Sequence, residues 1–273
     1  MFVQKKYKSP ANSAFALMTL IYHASVRHVR RTHGNPLLGL ISNVMQTVLF
    51  VAVFYVMFEI LGLRGMAIRG DFLLYLMTGI FLFITHNKSL GAIVGSEGPT
   101  SPMMQHAPMN TIVAISAAAI STLYIQILSV FVILLVYHVA FTPITIEEPV
   151  GAMGMVILAW FSGVAIGLLL LALKPWAPGL VGMISTVYQR ANMISSGKMF
   201  LANTLPGSML ALFDWNPLFH AIDQARGFTF INYNPHFSSI TYPLYLSLAL
   251  IIIGLMGEFY TRKHASASWF AGK

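Results

Sequence analysis

The residues best placed to do chemistry lie near the C-terminus, where Trp215-Asn216-Pro217-Leu218-Phe219-His220 leads on to Asp223 and Arg226. Pro217 suits a first helical turn, where its missing N–H is not needed, and Asn216 can cap that turn. His220, Asp223 and Arg226 then follow at i, i+3 and i+6, along one flank of the helix. Two readings are open to that flank. One is an Asp–Arg ion pair within the helix, worth about 0.2–0.5 kcal/mol. The other is a polar anchor at the mouth of a translocation path, with Trp215, Asn216, Pro217, His220, Asp223 and Arg226 as gate residues.

A second group lies in a Gly- and Pro-broken segment with Glu97, Ser101, Met103, Met104 and Pro108. Ser101-Pro102 can start a short helix, and the two methionines offer adaptable apolar contacts to a partner protein. Other chemistries lack their residues. A phosphate loop needs Gly five residues ahead of Gly-Lys-Ser/Thr, but Asn192 stands there before Gly197-Lys198 and Met199 follows. His-Glu-x-x-His and Gly-x-Ser-x-Gly are both missing, so neither a zinc hydrolase nor a serine nucleophile elbow is indicated. No catalytic or metal-binding residue is assigned. Glu59 stands near the end of an apolar stretch and reads as interfacial.

The elements that must position these residues follow from composition. Of 273 residues, 57% are hydrophobic and only 9% charged, and the mean hydropathy is +0.73. Soluble domains carry about 25% charge, so this chain has too few charges to cover a water-facing surface. Leu37 to Phe58, Pro149 to Leu173 and Gly227 to Gly257 hold no Asp, Glu, Lys or Arg. About 20 apolar residues cross a bilayer as helix, and a lipid-exposed backbone must satisfy itself internally. The expectation is an all-α integral membrane protein. Its six spans would begin near Leu37, Phe72, Asn110, Val150, Pro178 and Pro243.

The whole chain reads as one membrane domain. Residues 1–35 form an interfacial helix, 37–260 the six-helix body and 261–273 a cytoplasmic tail. Ser9-Pro10 marks the start of that first helix, with Phe15, Met18, Tyr22, Val26 and Val29 on an apolar face. Thr19, His23, Arg27, Arg30 and Arg31 lie on another face, toward lipid headgroups.

The net charge is +8. Six spans put Lys5, Lys6, Lys8, Arg27, Arg30, Arg31, Lys88, Lys174, Arg262, Lys263 and Lys273 on one side. Only Arg64, Arg69, Arg190, Lys198 and Arg226 fall on the other. The positive-inside rule then makes both termini cytoplasmic, and membrane orientation explains the charge without nucleic acid as a partner. Between Gln189 and Tyr242 the chain is semi-apolar but broken by Gly197, Pro206, Gly207, Pro217 and Pro235. Helical pieces re-entering the outer leaflet before the last span fit that pattern, because a free loop would expose Phe200, Leu201, Met209 and Leu212. Gly163 and Gly167 form a GxxxG that allows close helix approach. The chain has no cysteine, so disulfides and thiolate metal sites are excluded.

In this order the features resemble the membrane subunit of type-2 ABC exporters, and within them the capsular-polysaccharide and O-antigen permeases. The likeness rests on the basic N-terminal helix, Leu38-Gly39 opening the first span, and Pro108 in the segment between spans two and three. Its specific part is Leu205-Pro206 followed by Trp215, Asn216, Pro217, Leu218, His220 and Arg226. It departs at Leu40-Ile41-Ser42-Asn43, where such permeases often carry Trp, and at Ala107, where a basic residue is common. The resemblance implies a homodimer, so a second copy of this chain, in the bacterial inner membrane. It implies two copies of an ABC ATPase subunit, which would bind ATP and Mg while this chain holds no cofactor. Glu97, Ser101, Met103, Met104 and Pro108 would couple to that ATPase. The substrate would be a lipid-linked glycan, capsular polysaccharide first, and a periplasmic or inner-membrane co-export protein would be a further partner. An O-antigen, lipid or drug exporter of the same class is the alternative. A secondary transporter is less favoured, because no inverted repeat is visible, and an enzyme lacks convergent acid, base or metal ligands.

Overall fold

Proline and asparagine set where the helices begin. Pro36, Pro149, Pro178 and Pro217 each occupy a first turn, where a missing N–H costs nothing. Asn35, Asp71, Asn110 and Asn216 cap their helices by accepting a hydrogen bond from the N–H two residues on, at 2.9–3.0 Å. The computed structural model describes residues 10–33, 35–62, 70–96 and 110–264. Its helices are α1 (Pro10–His33), α2 (Pro36–Ile60), α3 (Phe72–Val94), α4 (Thr111–Ala140), α5 (Pro149–Leu173), α6 (Pro178–Ser195), α7 (Gly207–Phe213), α8 (Pro217–Thr229) and α9 (Thr241–His264). A 3₁₀ turn covers Ala202–Thr204. No strand occurs among the described residues.

Four helices are long and apolar enough to cross a membrane: Leu37–Ile60, Thr111–Ala140, Pro149–Leu173 and Thr241–His264. Three of them leave most of their side chains facing outward. That would be costly in water and costs nothing in lipid. The second and fifth expected spans are also helices, α3 and α6. Neither holds a continuous stretch as apolar as those four do, because α3 carries His86-Asn87-Lys88 and α6 is amphipathic.

Contacts fix the helix directions. A methyl group on Gly163 of α5 would lie 2.4 Å from the His86 carbonyl oxygen, and one on Gly167 3.0 Å from that of Leu90. The GxxxG therefore packs α5 directly on α3, and the two run parallel. On its other side α5 meets α9, where Gly254 backs onto Leu168 and Thr261 donates to the Ala172 carbonyl at 3.2 Å. These too run parallel. α2 runs against α3, with Phe58 beside Phe72 and Phe50 beside Phe83. α4 also opposes α3, since Tyr137 reaches Asp71 while Ile115 and Ile93 share a core cluster. α6 opposes α3 as well, placing Tyr188 on His86 and Val181 beside Leu90. Hence α2, α4 and α6 point one way and α3, α5 and α9 the other. The end where α3, α5 and α9 begin is the upper end below.

α3 is the axis of this bundle, and most of its residues from Leu74 to Ile93 are buried. Most of its polar residues face other helices instead of the surroundings, Lys88 being exposed. His86 Nδ1 contacts Ser162 Oγ at 2.9 Å and the Ala159 carbonyl at 3.1 Å, while Nε2 reaches Tyr188 Oη at 3.1 Å. A helix enclosed in this way need not be uniformly apolar.

α1 packs against α4, where the His28 ring meets Ser121 Oγ at 3.0 Å, and Ser25 is buried. The expected apolar face is turned outward instead, with Phe15, Met18 and Tyr22 exposed. His23 and Arg27 are exposed too. The ATPase-coupling candidates Glu97, Ser101, Met103, Met104 and Pro108 lie outside the described residues, as do Arg64 and Arg69.

Candidate gate segment

α6 stops short of the upper end. After Ser195 the chain turns at Gly197, whose φ of +75° favours glycine. A methyl group there would also sit 2.8 Å from the Phe219 ring. The next residue, Lys198, lies with its backbone against Gly79 of α3. Gly79 is seven residues inside α3, about 10 Å below its start at 1.5 Å per residue. α8 then occupies the remaining height. Its first turn meets Ser195 and Gly197, and its end reaches the start of α5, where Glu148 N–H donates to the Phe228 carbonyl at 2.8 Å.

Such a break leaves backbone groups without helical partners, and α8 supplies them. Arg226 is 1% exposed. Its Nη1 donates to the carbonyls of Gly197 (2.8 Å) and Phe200 (2.5 Å), and Nη2 to that of Lys198 (2.7 Å). The guanidinium carbon lies 4.3 Å from the centre of the Tyr75 ring, a cation–π geometry. Asp223 accepts from Tyr233 Oη at 2.5 Å, Ser238 Oγ at 2.7 Å and the Ala202 N–H at 3.4 Å. Burial pushes the Tyr233 phenol well above its ordinary pKa, and the adjacent Asp223 charge pushes it further. Arg226 thus serves the turn after α6 and Asp223 mainly the stretch before α9, and the two do not form the ion pair their spacing allows.

The other predicted residues tie α8 to its neighbours. Asn216 caps α8 through Oδ1, and its Nδ2 donates to Asn192 Oδ1 (2.9 Å) and to Ser195 Oγ (3.0 Å) and carbonyl (3.2 Å). His220 Nδ1 accepts from the Ser239 N–H at 3.0 Å, which leaves Nε2–H to donate to the Asp214 carbonyl at 2.7 Å. Pro217 is buried in the first turn. Trp215 stands apart, 55% exposed, with its indole N–H on the Leu212 carbonyl at 2.7 Å. α7 has no buried residue and exposes Met209 and Leu212.

Sequence reasoning counted Lys198 among the outer charges and as a failed phosphate-loop lysine, and gave it no place in the site. Its ammonium is buried, lies 3.8 Å from the Phe83 ring centre and 4.9 Å from that of Phe54, and donates to the Met193 carbonyl at 2.9 Å. Tyr75, Asn192 and Tyr233 were also missed. A polar residue within an apolar span is the one signal that could have flagged Asn192. Among the described residues no three His, Asp or Glu side chains converge to hold a metal. The arrangement can hold the irregular turn after α6 against α3 and present Trp215 and α7 outward. Comparison with known protein families found no matching family model, and comparison with curated proteins found no match.

Proposed function

We propose that this chain is the membrane subunit of a type-2 ABC exporter that moves a lipid-linked polysaccharide, capsular polysaccharide first, outward across a bacterial inner membrane. A homodimer of six-span chains, with termini in the cytoplasm, would be driven by two separate ATPase subunits. The observation that carries the reading is the interrupted segment between α6 and α9. Six helices alternate in direction, and the chain breaks about 10 Å below the upper end at Gly197. The break is organised around Asn216, His220, Asp223 and Arg226. Irregular backbone at membrane depth survives only where it is buried in protein or lines a cavity, and here Arg226 and Asp223 bury it. α3 and α6 serve as the second and fifth spans in this reading. Their buried polar side chains, His86 of α3 and Asn192 of α6 among them, are tolerated because they face the bundle interior, while Lys88 and Arg190 are exposed. The segment Ser195 to Arg226 is then the re-entrant outer gate, and Glu97 to Pro108 the ATPase contact.

Met103→Asp combined with Met104→Asp tests the assignment in cells. The double variant should insert normally, lose the co-purifying ATPase and leave the glycan off the cell surface. Deleting the gene should give the same glycan defect. Wild-type surface glycan after deletion would sink the reading. An intact ATPase complex with normal export in the double variant would remove the coupling role.

A further inference from the structure

α2 and α4 run side by side but do not touch along their whole length. A buried polar clasp, near the start of α2 and at the middle of α4, holds them together. Asn43 Nδ2 donates to Ser129 Oγ at 2.7 Å, and Gln126 Nε2 donates to Asn43 Oδ1 at 3.1 Å. Above the clasp the helices separate, leaving a groove of about 720 Å³ floored by α3. Its walls carry small and branched side chains, Val44, Val48, Val132 and Val136 among them. Its upper end is polar. Asp71 accepts there from Tyr137 Oη, from Thr142 Oγ1 at 3.0 Å and from the Leu73 N–H at 2.9 Å. Burial raises the Asp71 carboxyl, but these hydrogen bonds outweigh it and hold the group below its ordinary value, so it is an anion at neutral pH.

We infer that this groove is a binding site for one phospholipid with an ammonium headgroup, such as phosphatidylethanolamine. Three features select that occupant. From Val44 to Tyr55 the groove is eleven residues long, about 16 Å at helical rise. That matches one leaflet, half of a hydrocarbon core about 30 Å thick. A partner's transmembrane helix would need the full thickness, and the Asn43–Gln126–Ser129 clasp blocks it. The apolar body and single polar end match an acyl chain beneath a headgroup. Among the described residues, the charge at that end is the Asp71 carboxylate, half-exposed at the mouth, so a cationic ammonium is attracted and an anionic glycerol headgroup repelled.

The test uses the full-length chain in nanodiscs of equal phosphatidylethanolamine and phosphatidylglycerol. Each lipid in turn carries a photoreactive acyl chain, and retained lipid is read by native mass spectrometry. The wild type should keep one phosphatidylethanolamine per chain, with adducts mapping to peptides containing Val48, Val132 and Val136. Its preference over phosphatidylglycerol should be about tenfold, the equivalent of about 1.4 kcal/mol. Asp71→Asn should keep the adducts but lose most of the preference. Thr142→Arg, which leaves the Asp71 cap in place, should invert it. Val48→Phe with Val132→Phe should abolish the adducts. Equal retention of the two lipids by the wild type would overturn the headgroup assignment. Adducts spread evenly around the bundle, or unchanged in the filled double variant, would overturn the site. So would a protein cross-linked in the groove when the chain is taken from native membranes.

Discussion

Arg226→Ala tests whether the break after α6 is held from α8. The guanidinium makes three hydrogen bonds to the carbonyls of Gly197, Lys198 and Phe200. Hydrogen bonds to a charged group contribute about 1.5–3 kcal/mol each, a gross loss of about 4–9 kcal/mol. Part of this is returned, because the variant no longer buries a charge and water can enter the space left. Breaking one side of a buried charged contact costs about 3–5 kcal/mol net. Taking the low end, local opening of residues 197–203 becomes about 100-fold more frequent, since each 1.4 kcal/mol is tenfold. Hydrogen exchange in detergent or nanodiscs reads this directly at the amides that the loop buries, including those of Leu201 and Ala202. Exchange in α5 should stay unchanged, as should the loop's exchange in Trp215→Ala, because that side chain is exposed. Exchanging the two residues, Asp223→Arg with Arg226→Asp, should be at least as damaging as the alanine. If Arg226→Ala raises loop exchange less than about threefold, the carbonyl clamp is not what holds the break. If the exchanged pair behaves as wild type, the two residues act on each other and this reasoning fails.

Two further outcomes follow from the packing. Gly163→Ala should lower the melting temperature of the purified protein markedly, because its methyl would meet the His86 carbonyl oxygen at 2.4 Å, while Gly154→Ala has open space and should be near neutral; equal melting temperatures would refute the α3–α5 contact. Cysteines placed singly at Phe15, Met18 and Tyr22 should resist water-soluble thiol reagents in intact membranes, and those at His23 and Arg27 should react; uniform reaction would remove α1 from the membrane interface.

Much of the helical skeleton was legible because its signals are local. A proline or asparagine at a helix start acts on its own backbone, and a run of apolar residues reports lipid whatever it packs against. The six expected segments coincide with helices for that reason. The place of each helix was not legible. α3 resembles a weak span because of His86-Asn87-Lys88, yet it is the most enclosed of the long helices, and Ser162 and Tyr188 lie 76 and 102 residues away from His86. GxxxG announces close approach but not to which neighbour. For α1, sequence periodicity separated an apolar from a basic face, and the structure leaves Phe15, Met18 and Tyr22 exposed alongside His23 and Arg27. Periodicity could not show that the helix docks through Ser25 and His28, because the docking partner Ser121 is 93 residues from His28.

The flank of α8 shows the same limit more sharply. Spacing of i and i+3 pairs Asp223 with Arg226 on an isolated helix in water, where each charge has no better partner. In this protein a nearby chain break changes the competition. The turn after α6 leaves carbonyls that no helix satisfies, and a buried unsatisfied group costs more than a surface ion pair returns. Arg offers five donors in a rigid fork and keeps its charge, so it can serve three carbonyls at once. Asp offers only acceptors, so it collects the donors Tyr233, Ser238 and the Ala202 N–H. Arg226 serves the acceptors of the broken segment, and Asp223 takes one of its donors, the Ala202 N–H, together with two side chains from the stretch before α9. Opposite charges three residues apart can therefore both be buried on one helix without pairing, and the backbone break decides their partners.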